Sequence, residues 1–441
     1  MRTGYFSEFI KYVSLNILGM VGLSCYILAD TFFISKGMGS DGLAALNLAI
    51  PVYSFVHGIG LMLGMGGAAK YSVFMGQNHK EDANEIFNSV IRVAFIVACI
   101  LSVVGIFLSK QIAMFLGADG TILSMTDIYL KIILLFSPAF IINQTLLAFV
   151  RNDGNPGLAM AAMLNGSIFN IILDYIFIFP LGWGMFGAVI ATSMAPLISM
   201  SVLVMHKISG RQEFFLKKTK ISPTIIADVV KIGIPSLITE VAAGIVMIIF
   251  NILILGIEGN IGVAAYGVIA NLALVFSSVY TGIAQGIQPL ISIGYGKNDM
   301  KQVKIIYRYA LIALSMVSAA IYLVCFIFAD PIALIFNSEQ NEILQQIAVS
   351  GMKLYFLAVP FIGFNIVTST FFAAMEKVLP AQSISLLRGI VLMVPMAYLL
   401  AAIGKMTGIW LTVPVTEGIV AVIGIVFIVK WWKKLKVYEK V

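Results

Sequence analysis

The chain has 441 residues, of which 60% are hydrophobic and only 11% charged, with a net charge of +7. Soluble domains carry about 25% charged residues, so this composition, with a mean hydropathy of +1.00, excludes a soluble enzyme, a disordered chain and a nucleic-acid-binding domain. What remains is a polytopic membrane protein, whose excess of basic residues orients the chain and does not mark a nucleic-acid patch.

The N-terminus lacks the short apolar core and small-residue cleavage site of a removable signal peptide, so the first apolar run is expected to stay as a membrane helix. A helix needs about 20 largely apolar residues to cross the hydrocarbon layer. Twelve runs meet that need, at roughly 10–34, 44–72, 88–108, 129–150, 158–180, 185–207, 229–254, 264–294, 305–328, 350–373, 380–402 and 408–431. They are too long, and alternate too little, for barrel strands. Twelve crossings return both termini to one side. With that side cytoplasmic, only Lys36, Lys110, Lys131, Lys353 and Lys405 of the 28 Lys and Arg residues fall on outer loops or span ends. That bias predicts cytoplasmic termini in a cell membrane. The tail Lys430, Trp431, Trp432, Lys433, Lys434, Leu435, Lys436 is expected to be an interfacial stop after the last helix. Cys25, Cys99 and Cys325 lie in apolar runs without a CxxC pair, which argues against disulfides and structural zinc.

A shift of 220 residues aligns the two halves. Lys11 meets Lys231, Gly39 meets Gly259, Ala44-Ala45 meets Ala264-Ala265, and Gly66 meets Gly286. Ser72 meets Ser292, Gly76 and Asn78 meet Gly296 and Asn298, and with small gaps Pro138, Asn143 and Pro156 meet Pro360, Asn365 and Pro380. The long period predicts a duplicated six-helix unit, not a solenoid. The expected fold is therefore an all-α polytopic membrane protein with twelve transmembrane helices in two pseudo-symmetric six-helix bundles. The first lobe is expected over 1–207, a hydrophilic cytoplasmic linker with Arg211, Lys217, Lys218 and Lys220 over 208–228, and the second lobe over 229–441. Six helices per copy make the repeats parallel, a transporter arrangement with a cleft between rocking halves.

Four acids interrupt the spans: Asp30, Asp174, Glu240 and Glu417. Each costs roughly 2.5–3.5 kcal/mol at a helix centre, so each must face a cavity, pair, or take up a cation. Tyr26 precedes Asp30 by one helical turn, and Asn170 precedes Asp174 likewise, so each pair shares a face. With Thr192 they can form an all-oxygen pocket if helices 1, 5 and 6 meet. The plain alternative is a structural network locking three helices. In the second copy Asp30 aligns with Phe250, Asp174 with Pro395 or Met396, and Thr192 with Val413, so the cluster is not a requirement of the repeated fold. Glu417 reads better as a packing residue. Candidates for a substrate cavity are Glu240, Asn143 and His57, each with a bland alternative as a hydrogen-bonded packing residue. No Walker motif, HExxH or Ser-Lys/Ser-His arrangement supports ATP-driven or enzymatic chemistry.

Several segments resemble the multidrug and toxic compound extrusion (MATE) family over nearly the whole chain. They are Ala29-Asp30-Thr31-Phe32-Phe33-Ile34, Gly154-Asn155-Pro156, the run from Asn170 to Phe179 containing Asp174, and Gly282-Ile283-Ala284-Gln285-Gly286-Ile287-Gln288-Pro289 with Tyr295-Gly296. The DinF/MepA-like branch is the most similar. The resemblance implies the MATE fold and an antiporter exporting amphipathic, often cationic organic compounds against protons or sodium. It implies a coupling-cation site at Asp30, Asn170, Asp174 and Thr192, where sodium would also fit, with Tyr26 present in some members. This chain departs from the pattern at Tyr12-Val13-Ser14-Leu15, where an early proline is common, and at Ala195-Pro196 and Arg151-Asn152-Asp153-Gly154. Expected partners are small organic substrates and membrane lipid, with no nucleic acid, no cofactor beyond the coupling ion, and a monomeric state. A lipid-linked or polysaccharide precursor flippase is the rival reading.

Overall fold

The computed structural model describes residues 2–210, 212–217, 220–337 and 341–438. Arg211 and Lys218 of the basic linker lie outside the described residues, as do the side chains of Lys434, Leu435 and Lys436. Among the described residues every regular element is a helix. In chain order they are α1 (Arg2–Gly76), α2 (Lys80–Phe115), α3 (Gly120–Leu135), α4 (Ser137–Asn152), α5 (Pro156–Ile178), α6 (Gly184–Ile208) and α7 (Pro223–Gly296). There follow α8 (Met300–Ile327), α9 (Ala329–Phe336), α10 (Glu342–Tyr355), α11 (Val359–Ala374), α12 (Val378–Leu386), a π turn at Leu387–Val391, and α13 (Met393–Tyr438).

At 1.5 Å per residue, the 75 residues of α1 and the 74 of α7 are far too long for one crossing of a bilayer core about 30 Å thick. Each is broken once, at Gly39 (φ 65°) and Gly259 (φ 61°), the glycines that the repeat superposes. Only glycine enters that left-handed conformation freely, so the duplicated glycine is what lets two spans follow each other with almost no loop. The run from α12 through α13 breaks in the same way at Lys405 (φ 46°). Among the described residues eight helices, or nine with the bent pair α3–α4 as one span, are long and apolar enough to cross a membrane. Reversal inside three of them accounts for the twelve predicted crossings.

Local signals set the helix starts. Asn155 and Pro156 open α5, the Asn side chain accepting from the Leu158 N–H. Ser222 and Pro223 open α7 in the same manner, and Asp299 accepts from Gln302 N at 2.9 Å to open α8. Such caps satisfy backbone donors that the first turn leaves bare.

Two apolar cores form. One gathers buried residues from Ile34 to Val229, the other those from Phe250 to Val420. The first turns of α1 cross over: Phe9, Tyr12 and Val13 belong to the second core. The lobes meet along a glycine seam. A methyl group on Gly66 would overlap the Val229 carbonyl, and one on Gly286 would overlap the backbone of Tyr12 and Val13. Gly76 and Gly296 face the carbonyls of Ile293 and Val73. The 220-residue shift carries the Gly76–Ile293 contact onto Gly296–Val73, and the approach of Gly66 to Gly233 onto that of Gly286 to Val13, so α1 and α7 touch across a pseudo-twofold axis at the end of the molecule where the linker lies.

The linker does not hang free. Phe214 is buried against Phe87, Phe149 and Tyr71. Asn84 and Asn88 accept from the backbone N–H groups of Phe215 and Lys217, each at 2.8 Å. Burying one Phe contributes roughly 1.5–3 kcal/mol, so this stretch straps the first lobe despite its hydrophilic composition.

Candidate functional site

The first arm of α1, ending at Gly39, carries Tyr26 and Asp30 on one buried face. The second arm brings back Tyr53. Its hydroxyl lies 3.0 Å from that of Tyr26. From α5 come Asn170 and Asp174, both fully buried, and from α6 comes Thr192. The carboxyls of Asp30 and Asp174 reach each other. With the Asn170 amide oriented to satisfy both its ends, its nitrogen donates to Asp174 Oδ2 at 3.1 Å and its oxygen accepts from Thr192 N at 3.2 Å. Thr192 gives its own hydroxyl hydrogen to Ala188 O at 3.1 Å.

All five residues expected from the sequence therefore converge in one place, although Tyr26 arrives through Tyr53 and by its proximity to Asp30. Two further hydroxyls had no sequence signal strong enough to single them out. Tyr129 of α3 reaches the Thr192 side chain and stands beside both acids. Tyr53 lies one turn before His57, a spacing that repeats the Tyr26/Asp30 pattern and was its only trace in the sequence.

Asp30 and Asp174 each keep one buried carboxylate oxygen without a hydrogen-bond partner among the described residues. Neither forms an ion pair with Lys, Arg or His there. Two bare carboxylates side by side in a low-dielectric interior repel. The pair is stable only with a proton or a small cation between its oxygens. Carboxylate, amide, hydroxyl and phenol oxygens suit a hard cation, and the same oxygens can carry and share a proton.

The other intramembrane acids behave differently. Glu417, 2% exposed, is held by Arg388, with Nη2 to Oε1 at 2.7 Å and Nε to both oxygens at 3.1 and 3.2 Å. Asn365 donates to Glu417 Oε2 at 2.6 Å. That acid is neutralised and fully bonded, which makes it a brace of the second lobe. Arg388 sits on the π turn, whose extra residue changes where the side chain projects. Glu240 is one-third exposed, with Oε2 3.4 Å from His57 Nδ1. Asn143 is buried in α4, with its oxygen unpartnered and no bond to the acids. Its neighbour Gln144 is the residue that reaches His57, at 2.6 Å.

Polar bonds between the lobes gather toward the linker end. Arg151, buried, donates across to Gln285 Oε1 at 2.7 Å and, within its own lobe, to Asn16 Oδ1 at 3.1 Å. Asn152 donates to Gln288 at 2.8 Å, Lys70 to Asp228 at 2.8 Å, and Tyr5 to Asp299 at 2.9 Å. With the glycine seam they seal that end of the cleft.

Comparison with known proteins agrees with this architecture. The MatE family model matches residues 16–176 and 235–399. The multidrug export protein MepA of Staphylococcus saprophyticus is 24% identical over 427 residues, covering 95% of this chain and 92% of the relative. MepA of Staphylococcus aureus strain MRSA252 is 24% identical over 398 residues, covering 90% and 87%. Among solved structures, a MATE protein in complex with MaL6 superposes with a TM-score of 0.91 at 22% identity, covering 97% of this chain and 96% of that one. An outward-facing multidrug resistance MATE transporter of the MOP superfamily gives 0.88 at 23% identity, covering 97% and 96%. A MOP superfamily transporter from Pyrococcus furiosus, described as having a binding pocket of reversed polarity, gives 0.88 at 22%, covering 95% and 94%.

Proposed function

Given that the chain belongs to the MATE family of multi-pass membrane transporters, on its MepA-like branch, we propose that it exports amphipathic, often cationic organic compounds in exchange for protons or sodium ions entering the pocket around Asp30 and Asp174. The observation that carries this reading is the meeting of two buried carboxyls, with oxygens left over and no basic partner among the described residues. The MepA relatives are named as multidrug exporters, which supports the substrate class.

We take the termini and the linker to face the cytoplasm, in the cell membrane, as the distribution of basic residues favours. The sealed end of the cleft then faces inward, and the protein is in an outward-open state with its drug cavity between α1 and α7. In that state a cation from outside enters the pocket, closes the Asp30–Asp174 pair around itself and draws the first arm of α1 toward α5. The movement narrows the cleft and expels the substrate. The chain works as a monomer and needs no cofactor beyond the coupling ion.

The test is ethidium efflux from proteoliposomes under an imposed pH gradient and, separately, a sodium gradient. One gradient should drive efflux in the wild type, and Asp30→Asn should reduce it to the leak rate while the protein still inserts and purifies normally. Gradient-driven efflux by Asp30→Asn at the wild-type rate overturns the reading.

A further inference from the structure

The cation pocket lies wholly in the first lobe, yet antiport requires its occupancy to alter how the two lobes meet. One run of side chains joins these places. Tyr26, beside Asp30, shares a 3.0 Å hydrogen bond with Tyr53. The Tyr53 ring lies nearly parallel to the His57 imidazole, at 15° and 5.9 Å between centroids. His57 Nε2 lies 2.6 Å from Gln144 Nε2 of α4. With the Gln144 amide in this orientation its nitrogen donates, His57 Nε2 accepts and the ring proton of the neutral tautomer is assigned to Nδ1. Nδ1 points at Glu240 Oε2 of the second lobe, 3.4 Å away. The backbones approach closely here too: a methyl group on Gly58 would lie 3.3 Å from Glu240 Cβ and closer still to Leu237.

The repeat isolates this run as a specialisation. Tyr26, Tyr53 and His57 correspond to Val246, Ala273 and Ser277 in the second copy, and Glu240 corresponds to Met20 in the first. Nothing in the duplicated fold requires any of them, and the cation cluster is missing from the second copy in the same way. The cross-lobe bonds at the linker end hold the lobes together, but none of them leads back to the acids.

We propose that His57 is a positioning residue that transmits occupancy of the first-lobe cation pocket to the second lobe through its contact with Glu240. A cation on Asp30 shifts Tyr26. The shift re-aims Tyr53 and the ring stacked on it, and the Nδ1–Glu240 contact is made or broken. Glu240, partly open to the cleft, then changes its availability to a positively charged substrate. This rests on the antiport reading above.

The experiment measures ethidium binding to the purified full chain by fluorescence, with and without the coupling ion identified by the efflux assay. Coupling between two sites is commonly worth about 5- to 150-fold in affinity, and the wild type should show a shift in that range. His57→Leu should remove the shift, so that its ethidium affinity is the same with and without the ion. His57→Gln, which keeps a hydrogen-bonding end, should restore part of it. Glu240→Gln, made in the other lobe, should also shrink the shift, and the double variant should lose no more than the larger single loss. A His57→Leu protein that retains the full ion-dependent shift overturns the proposal. So does one that loses ethidium binding equally with and without the ion, since that marks a purely structural role. A wild type whose ethidium affinity ignores both ions overturns the antiport reading, and this inference with it.

Discussion

At the scale of single residues, the site depends on how many oxygens surround one buried pair of carboxyls. Tyr26 and Asn170 could be read from the sequence because each shares a helix face with an acid, and Thr192 because the family resemblance marks it among the several hydroxyls of α6. Tyr129 could not, since the acid of α3, Asp127, lies two positions away and so on another helix face, and only the packing of α3 on α6 brings Tyr129 to Thr192. If Tyr129 helps hold the cation, Tyr129→Phe removes one hydrogen bond to a charged centre, worth roughly 1.5–3 kcal/mol. The coupling-ion concentration for half-maximal ethidium efflux should rise about 10- to 100-fold, with little change in the maximal rate. An unchanged concentration dependence would exclude Tyr129 from the site. Glu417 shows the converse limit. Its sequence context marks a buried acid, but the Arg388 that neutralises it lies 29 positions away on an irregular turn that composition does not betray.

At the scale of helices, the repeat carried more information than hydropathy did. Hydropathy finds twelve spans but cannot say which faces meet. The repeat singled out Gly66, Gly76, Gly286 and Gly296, and these proved to be among the points where α1 and α7 approach within backbone contact, with Gly233 and Gly282. Duplicated glycines survive in a seam because any side chain there holds the lobes apart. Composition misled at the linker: its charges announce a solvated connection, whereas Phe214 and the Asn84 and Asn88 side chains pin it to the first lobe. The symmetry yields a prediction. Gly66→Ala and Gly286→Ala should impair efflux alike and lower the melting temperature, because overpacking a close contact costs about 1–3 kcal/mol. Gly256→Ala, which has open space around it, serves as the control and should behave as wild type. Different outcomes for the two seam variants would mean that the lobes do not close symmetrically.

For the molecule as a whole, the question is what sets the stability of the sealed linker end relative to an open one. That seal combines the glycine contacts with hydrogen bonds from Arg151, Asn152 and Tyr5 and the Lys70–Asp228 ion pair. Beside them, in the turn between α11 and α12, lies Glu376, whose carboxyl gives the seal a pH dependence. Burial pushes its carboxyl above the ordinary range, Lys70 and Lys377 oppose that shift, and Asp228 adds to it. One of its oxygens is buried without a partner, and Lys70 and Asp228 form the ion pair that joins the lobes there. A carboxyl raised in the sealed state stabilises that state fully below its ordinary value, and the contribution is lost as pH rises through the raised value. Opening the linker end exposes Glu376 and returns it toward ordinary behaviour, so alkaline conditions on that side favour opening. Glu376→Gln mimics the protonated form at every pH. Its melting temperature should match the wild type in mild acid and exceed it increasingly as pH rises. Parallel curves across the range would show that Glu376 gives the seal no pH sensitivity, and the linker end would then be governed by the seam and the Arg151 contacts alone.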